Sequence, residues 1–400
     1  MKPSPPPFSS QAHRMARSHD EVFFSLLAGE KAVVRLLGPR RTGKTDLVSF
    51  FARTERCPIL TLSITPLPAD VVSPSPVIAA MLKAEIRTLA HTSPKLHATY
   101  SAMREKEQRP RRKTTFAAEV NAGSVVKGSA QSETATPDIP VIVTDADVEI
   151  AEILRRLELA AMRTRQRPVV FFDEVQEVLL RSADAGKAAI WAIRNEVQHH
   201  TACRYVFAGS NQRLFAMLET GRAAPLLNLG TSLEIQPLTL PETDAWAKPL
   251  FEKGKRHLRS LSASTELLCG KIGEVVEVCN WLWAHSKPGD ILDEAIQREG
   301  VVAVARRQPI ESAVTALTAP QTKVLRWVLQ HPGASPFGHG ALAETGLNPG
   351  TVSSALKALV ELELIESFGT TSYSCTTPLR TLAAFAPEVW LTRKTSSAPG

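Results

Sequence analysis

The sequence predicts an α/β fold: a parallel sheet covered by helices, then a helical segment, then a module of three helices and a hairpin. Three observations predict it. From Val22 to Gln236, apolar runs of strand length alternate with stretches of helical spacing. One loop, Gly38 to Thr45, carries glycines, a lysine and threonines between the first such run and the helix after it. A later run ends abruptly in Asp173 and Glu174.

The elements follow in order. A Pro/Ser-rich tail over 1–17 has the composition of a disordered segment. SHDEVFFSLLAGE, from Ser18, reads as a helix and KAVVRLLG as a buried strand. After the loop, DLVSFFAR has helical spacing and CPILTLSIT is a second strand, which makes the pair parallel. SPVIAAMLKAEIRTLA is the next helix. Between 93 and 144 the chain turns polar, basic and Gly/Ser-rich, the composition of an insertion or mobile loop, with room for a short hairpin in TTFAAEVNAGSVVKGSAQSE. Helix DVEIAEILRRLELAAMRTR, strand PVVFFDE, helix AGKAAIWAIRNEVQH, strand CRYVFAGS, helix QRLFAMLET and strand TSLEIQPL complete a core over 18–236. Residues 237–305 read as a helical lid. Over 306–386, APQTKVLRWVLQHPG, GHGALAETGLN and PGTVSSALKALVELELIES are amphipathic helices and FGTTSYSCTTPLR is a hairpin, the order of a winged helix-turn-helix. A tail over 387–400 follows.

Composition narrows the class. The 400 residues allow two or three domains, and 44% hydrophobic with 22% charged residues is ordinary for a soluble globular chain. No apolar run is long enough to span a bilayer, and the N-terminus lacks the apolar stretch of a secretory signal. Five cysteines without a close pair argue for thiols in a reducing compartment, not for a disulfide frame or a zinc site. A cytoplasmic protein without a membrane partner is expected. The net charge of +7 permits contact with an anionic polymer.

The loop GPRRTGKT matches G-x-x-x-x-G-K-[ST] with Gly38, Gly43, Lys44 and Thr45, and it includes Pro39, Arg40, Arg41 and Thr42. Glycines at those points let backbone amides turn onto phosphates, and the helix that starts there points its free amides at the anion. Lys44 would reach the outer phosphates of ATP and the Thr45 hydroxyl would ligate Mg2+. In a parallel sheet the carboxyl ends of strands line the ligand crevice, so Asp173 would help to hold Mg2+ and Glu174 would polarise the attacking water. The strand RYVFAG ends next to Ser210 and Asn211. Either could orient that water, and either could instead cap the following helix.

Together these motifs resemble the archaeal-type ATPase family, a branch of the AAA+/STAND P-loop ATPases related to origin-recognition initiators. The likeness rests on GPRRTGKT, on FFDEVQEV with Gln176, and on FAGSNQRLFAML before LEIQPL. It implies a P-loop NTPase core with a helical lid and a winged helix. Lys44 and Thr45 would form Walker A, Asp173 and Glu174 Walker B, and Ser210 or Asn211 sensor 1. The family's arginine after the sensor helix is displaced here: Arg222 is the candidate finger across a homo-oligomer interface. No sensor-2 arginine is identifiable, and Lys271 stands at the lid position.

Two surfaces could meet DNA. Arg109, Arg111, Arg112 and Lys113 form a basic cluster able to touch phosphates without reading sequence. In the third C-terminal helix, Val352, Ala355, Leu356, Leu359 and Leu362 form the expected buried stripe, which leaves Ser354 and Lys357 on the outer face. One lysine among hydroxyls is thin for a groove-reading helix. Two functions follow. One is a slow ATP-driven switch that acts through the C-terminal module on DNA or a DNA-bound partner. The other is a nucleotide-regulated scaffold on which that module docks a protein effector.

Overall fold

A computed structural model describes residue 8 and residues 17–64, 73–108, 144–180, 182–268, 270–306, 310–362, 364–368, 372–376, 379–380 and 383. Five strands form one parallel sheet: β1 (Val33–Leu37), β2 (Ile59–Ser63), β3 (Val169–Asp173), β4 (Arg204–Gly209) and β5 (Thr231–Glu234). Their order is β2-β3-β4-β1-β5.

Such a sheet needs cover on both faces, and β3 shows how the sequence supplies it. Its side chains alternate between two apolar clusters, Val170 and Phe172 on one face, Val169 and Phe171 on the other. The first face is covered by α3 (Ser75–Thr92), α4 (Pro94–Gln108), α5 (Asp145–Thr164), α6 (Ala183–Val197) and α7 (Gln212–Glu219). The second is covered by α1 (Ser18–Ala28) and α2 (Lys44–Thr54).

The lid consists of α8 (Leu240–Lys253), α9 (Ser262–Leu267), α10 (Ile272–Ala284) and α11 (Glu294–Arg306). Two short parallel strands, β6 (His257–Leu258) and β7 (Ile291–Leu292), tie its connections together. After α12 (Ile310–Thr315) come α13 (Ala319–Gln330), α14 (His339–Thr345), α15 (Pro349–Glu361) and the antiparallel pair β8 (Ile365–Phe368) and β9 (Ser372–Cys375). This is the element order of a winged helix-turn-helix, and it has its own core, with Val324, Val328, Val352, Leu356, Leu359 and Tyr373 in it.

Three expectations need correction. The start of the expected insertion is the helix α4, whose Leu96, Tyr100 and Met103 enter the main core. That stripe is narrow and the rest of the helix is polar, which is why the composition resembled a loop. The expected disordered tail contains Phe8, buried against Trp246, Phe251 and Trp283 of the lid, and Arg17, which is also buried. In the C-terminal stripe four residues are buried, but Leu362 lies beyond the end of α15 and is exposed. From Ile365, within the run expected to be helical, the chain forms β8 instead.

The possible hairpin in 114–133 and the tail over 387–400 lie outside the described residues. Among the described residues no helix is long and apolar enough to cross a membrane. Cys57, Cys203, Cys279 and Cys375 are free thiols.

One buried carboxylate fixes how β4 enters the sheet. Glu158 on α5 accepts hydrogen bonds from the amides of Thr201, Ala202 and Cys203 at 2.7, 2.8 and 2.8 Å. Burial pushes its pKa up, but the three amides and nearby His200 outweigh that, and the carboxyl is held below its ordinary value. Its stabilisation is therefore present above the ordinary carboxylate pKa and lost as the pH falls through the lowered folded value. Glu158→Ala strands three amides and is expected to cost about 3 kcal/mol in urea melts at neutral pH. The difference from wild type should shrink in acid.

A candidate nucleotide site at the carboxyl edge of the sheet

The parallel register brings the carboxyl ends of β1, β3 and β4 to one edge, with Leu37 opposite Gly209 and Phe172 opposite Phe207. Because β4 lies between β1 and β3, its end stands between the glycine-rich loop and the acidic pair. Glycine is required twice in the loop. Gly43 adopts φ +87° as the N-cap of α2, and a Cβ on Gly38 would run into the Ile235 carbonyl. As the first residues of α2, Lys44 and Thr45 have amides without intrahelical acceptors, at the positive end of the helix dipole.

Lys44 is buried, and its Nζ donates to the carbonyls of Gly38 (2.7 Å) and Pro39 (2.9 Å). Burial lowers its pKa, while Glu174 and Asp173 act in the opposite direction. The Thr45 hydroxyl donates to Asp173 Oδ2 at 2.7 Å, across the end of β4. Burial raises the pKa of Asp173, and the bond from Thr45 opposes it. Buried Thr42 closes the loop on itself by donating to the Pro39 carbonyl at 2.8 Å.

Glu174 follows β3 in the left-handed region, φ +54° and ψ 43°, which turns its side chain back toward β4. Its Oε2 accepts from the Ser210 hydroxyl (2.5 Å), the Ser210 amide (3.1 Å) and Gln176 Nε2 (2.6 Å). Spacing left Ser210 and Asn211 equivalent, and the geometry separates them. Ser210 holds Glu174, whereas Asn211 Oδ1 accepts from the Leu214 amide at 3.1 Å and caps α7. Arg222 is exposed just after α7.

The two loop arginines diverge. Arg40 faces Glu177, at 3.6 Å. Arg41 faces the lid: its guanidinium lies 3.8 Å from Glu274 and 3.9 Å from Glu277, and its carbonyl accepts from the Gly273 amide at 3.1 Å. Next to these, Lys271 Nζ donates to Glu366 Oε1 of β8 at 2.7 Å. The first residues of α10 thus meet the loop on one side and the C-terminal hairpin on the other.

Arg17 also donates to the Thr42 carbonyl at 2.7 Å. Arg17, Glu274 and Glu366 carried no signal that could have singled them out, and Glu177, though inside FFDEVQEV, had no role assigned to it. Of the expected nucleic-acid contacts, Ser354 and Lys357 are exposed on α15. Arg109, Arg111, Arg112 and Lys113 lie outside the described residues.

The donor set fits a magnesium nucleotide. A hydroxyl and a carboxylate already in contact can share one hard cation, and a buried ammonium with helix-start amides suits phosphate oxygens.

Glu274 makes a separate demand. It is buried, its Oε2 has no hydrogen-bond partner, and burial raises its pKa to about 7 against the pull of Lys271 and Arg41, with Glu366 and Glu277 adding to the rise. The folded state holds this proton more tightly than the unfolded chain, so the contribution is greatest below the ordinary carboxylate pKa and is lost as the pH rises toward about 7. Glu274→Gln should therefore match wild type in acid and exceed its stability by roughly 1–3 kcal/mol above neutral pH in denaturant melts.

Neither a protein-family model nor a curated protein sequence matches the chain. Solved structures do. The Walker-type ATPase of Pyrococcus abyssi superposes with a TM-score of 0.61 at 16% identity, covering 94% of this chain and 97% of that one. The Orc1 protein of Aeropyrum pernix, solved in complex with DNA, gives 0.45 at 14% identity, covering 95% of this chain and 96% of its own. The ORC2 protein of the same organism, in its ADP form, gives 0.45 at 13%, covering 96% of each chain. The parallel sheet, glycine-rich loop and flanking helices of this chain share the P-loop α/β fold of that Walker-type ATPase structure.

Proposed function

We propose that the chain binds and hydrolyses ATP with Mg2+, and that nucleotide state governs the C-terminal module, which acts as a winged helix on DNA or a DNA-associated partner. One observation carries this reading: three strand ends bring Lys44, the Thr45–Asp173 pair and the Ser210-held Glu174 to a single edge. The loop amides and Lys44 bind the β- and γ-phosphates. Thr45 and Asp173 would hold Mg2+, which supplies charge neutralisation at the phosphates when bound. Glu174 orients a water and accepts its proton as the water oxygen bonds to the γ-phosphorus. The bond from that phosphorus to the ADP oxygen breaks, giving ADP and phosphate. Arg222, exposed after α7, would act from one copy onto the site of another in an oligomer.

Coupling is supported by the start of α10, where the loop and β8 are engaged by adjacent residues. The scaffold reading keeps one observation in its favour. The last ninety residues are charge-balanced and α15 exposes one lysine among hydroxyls, a surface that suits a protein effector as well as DNA.

Lys44→Ala should abolish ATP binding, while Glu174→Gln should bind ATP and lose turnover by about 100-fold or more. Steady-state ATPase assays with and without duplex DNA check both, and turnover unaffected by either change removes the reading. Stimulation by DNA favours the switch. Its absence, with a protein bound in an ATP-dependent way, favours the scaffold.

The coupling has its own test. Hydrogen exchange in the hairpin, residues 365–375, should differ between the ATP and ADP states of wild type. In Lys271→Met that difference should collapse. A difference that survives the substitution rejects this route of coupling.

A further inference from the structure

Gln176 is fully buried behind the acidic strand end. Its Nε2 donates to Glu174 Oε2 at 2.6 Å and to Glu177 Oε1 at 3.3 Å, so one amino group spans two carboxylates. Turning the amide over would set a carbonyl against both carboxylates, so electrostatics fix its orientation. The other end of the amide is left orphaned: Oε1 is buried without a hydrogen-bond partner. Space for it exists because β4 ends in Gly209, where a Cβ would collide with this same oxygen and with the Phe215 ring.

The turn that carries Gln176 (Val175–Leu179) also sends Val175 and Val178 into the main apolar cluster. An unbranched apolar side chain of similar length would suit that position without orphaning a carbonyl. A buried polar atom without a partner weakens a fold relative to such a replacement. What offsets that cost is the amino end, whose bonds go to two carboxylates, so the reason for an amide here lies in what its Nε2 holds.

We propose that Gln176 is the positioning residue for Glu174; this rests on the hydrolytic reading of the site. Gln176 and Ser210 together hold Oε2 of Glu174. Among the described residues Oε1 accepts no hydrogen bond, which leaves that oxygen for the water. The amide also ties the carboxylate to the phosphate loop. Glu177, its second acceptor, is buried and faces Arg40 at 3.6 Å. The line Arg40, Glu177, Gln176, Glu174, Ser210 runs from the loop after β1 to the end of β4. A change in the loop reaches the hydrolytic carboxylate through a single buried amide. Without that amide, Glu174 loses one of its anchors, and two neighbouring carboxylates lose the donor between them.

The test uses the full chain with Gln176→Met, beside wild type and Glu174→Gln. Steady-state kcat and KM for ATP are measured together with thermal midpoints. The expected result is a kcat lower by ~100-fold, as for a misplaced catalytic group, with KM within about twofold and the chain still folded at the assay temperature. Gln176→Leu, which also lacks the donor but differs in shape, should give the same split. A kcat within about twofold of wild type overturns the proposal. A loss of kcat that the unfolded fraction at the assay temperature accounts for overturns it too, because that marks a structural role. If wild type itself shows no turnover that Glu174→Gln removes, the hydrolytic reading fails and this inference fails with it.

Discussion

The buried ammonium of Lys44 is the constraint around which the site is arranged. Taking a charge out of water costs several kcal/mol unless partners replace the lost hydration. Here the replacements are two loop carbonyls and the nearby carboxylates of Asp173 and Glu174. Each sets a demand on the fold. The carbonyls of Gly38 and Pro39 can turn inward only if the loop curls tightly, which Gly38 and Gly43 permit. The carboxylates can stand close only if β3 ends at the same edge as β1, with one strand between them. The pKa of Lys44 still falls, so burial outweighs its partners. A site left short of negative charge is poised for an anionic ligand.

The two arginines of the loop divide its influence. Arg41 sits at φ +63°, a conformation that side-chain-bearing residues adopt at a cost of order 1 kcal/mol. Arg40 faces Glu177 beside β3 and Arg41 faces the lid. Both side chains remain 40–45% exposed, so neither ion pair is strong by itself. Their importance is geometric. Through Arg40 the loop reaches Glu177, which shares the Gln176 amide with Glu174, and through Arg41 it reaches α10.

Most of the sheet and the outline of the site were legible because they depend on short-range pattern. Apolar runs of five or six residues, the glycine spacing and the acidic strand end are all local. What was not legible depends on contacts distant in sequence. Phe8 and Arg17 lie in a Pro/Ser-rich tail, and nothing nearby signals that one enters the lid core and the other the loop. Leu96, Tyr100 and Met103 are too few among charged residues to mark α4 as a core helix. Ser210 and Asn211 are adjacent polar residues at one strand end, and only the turn into α7 decides which of them meets Glu174. Lys271 stands at the lid position of the resemblance, but nothing in the sequence marks its partner Glu366, 95 positions away.

That last pair is a direct polar tie between the lid and the nearly neutral C-terminal module. Lys271 is the N-cap of α10, where the helix dipole disfavours a cation, and its side chain is only 8% exposed. Glu366 offsets both penalties from across the module boundary, with Glu274 beside it on α10. While the hairpin is docked, Glu366 gives this lysine an anionic partner at a helix start that otherwise disfavours it. The hairpin also lies against α7, the helix that begins just after Ser210. It therefore touches the lid and the helix that follows the Ser210–Glu174 contact together. A shift of either element changes the docked state but has little direct effect on the undocked one. That difference is what a two-state coupling requires.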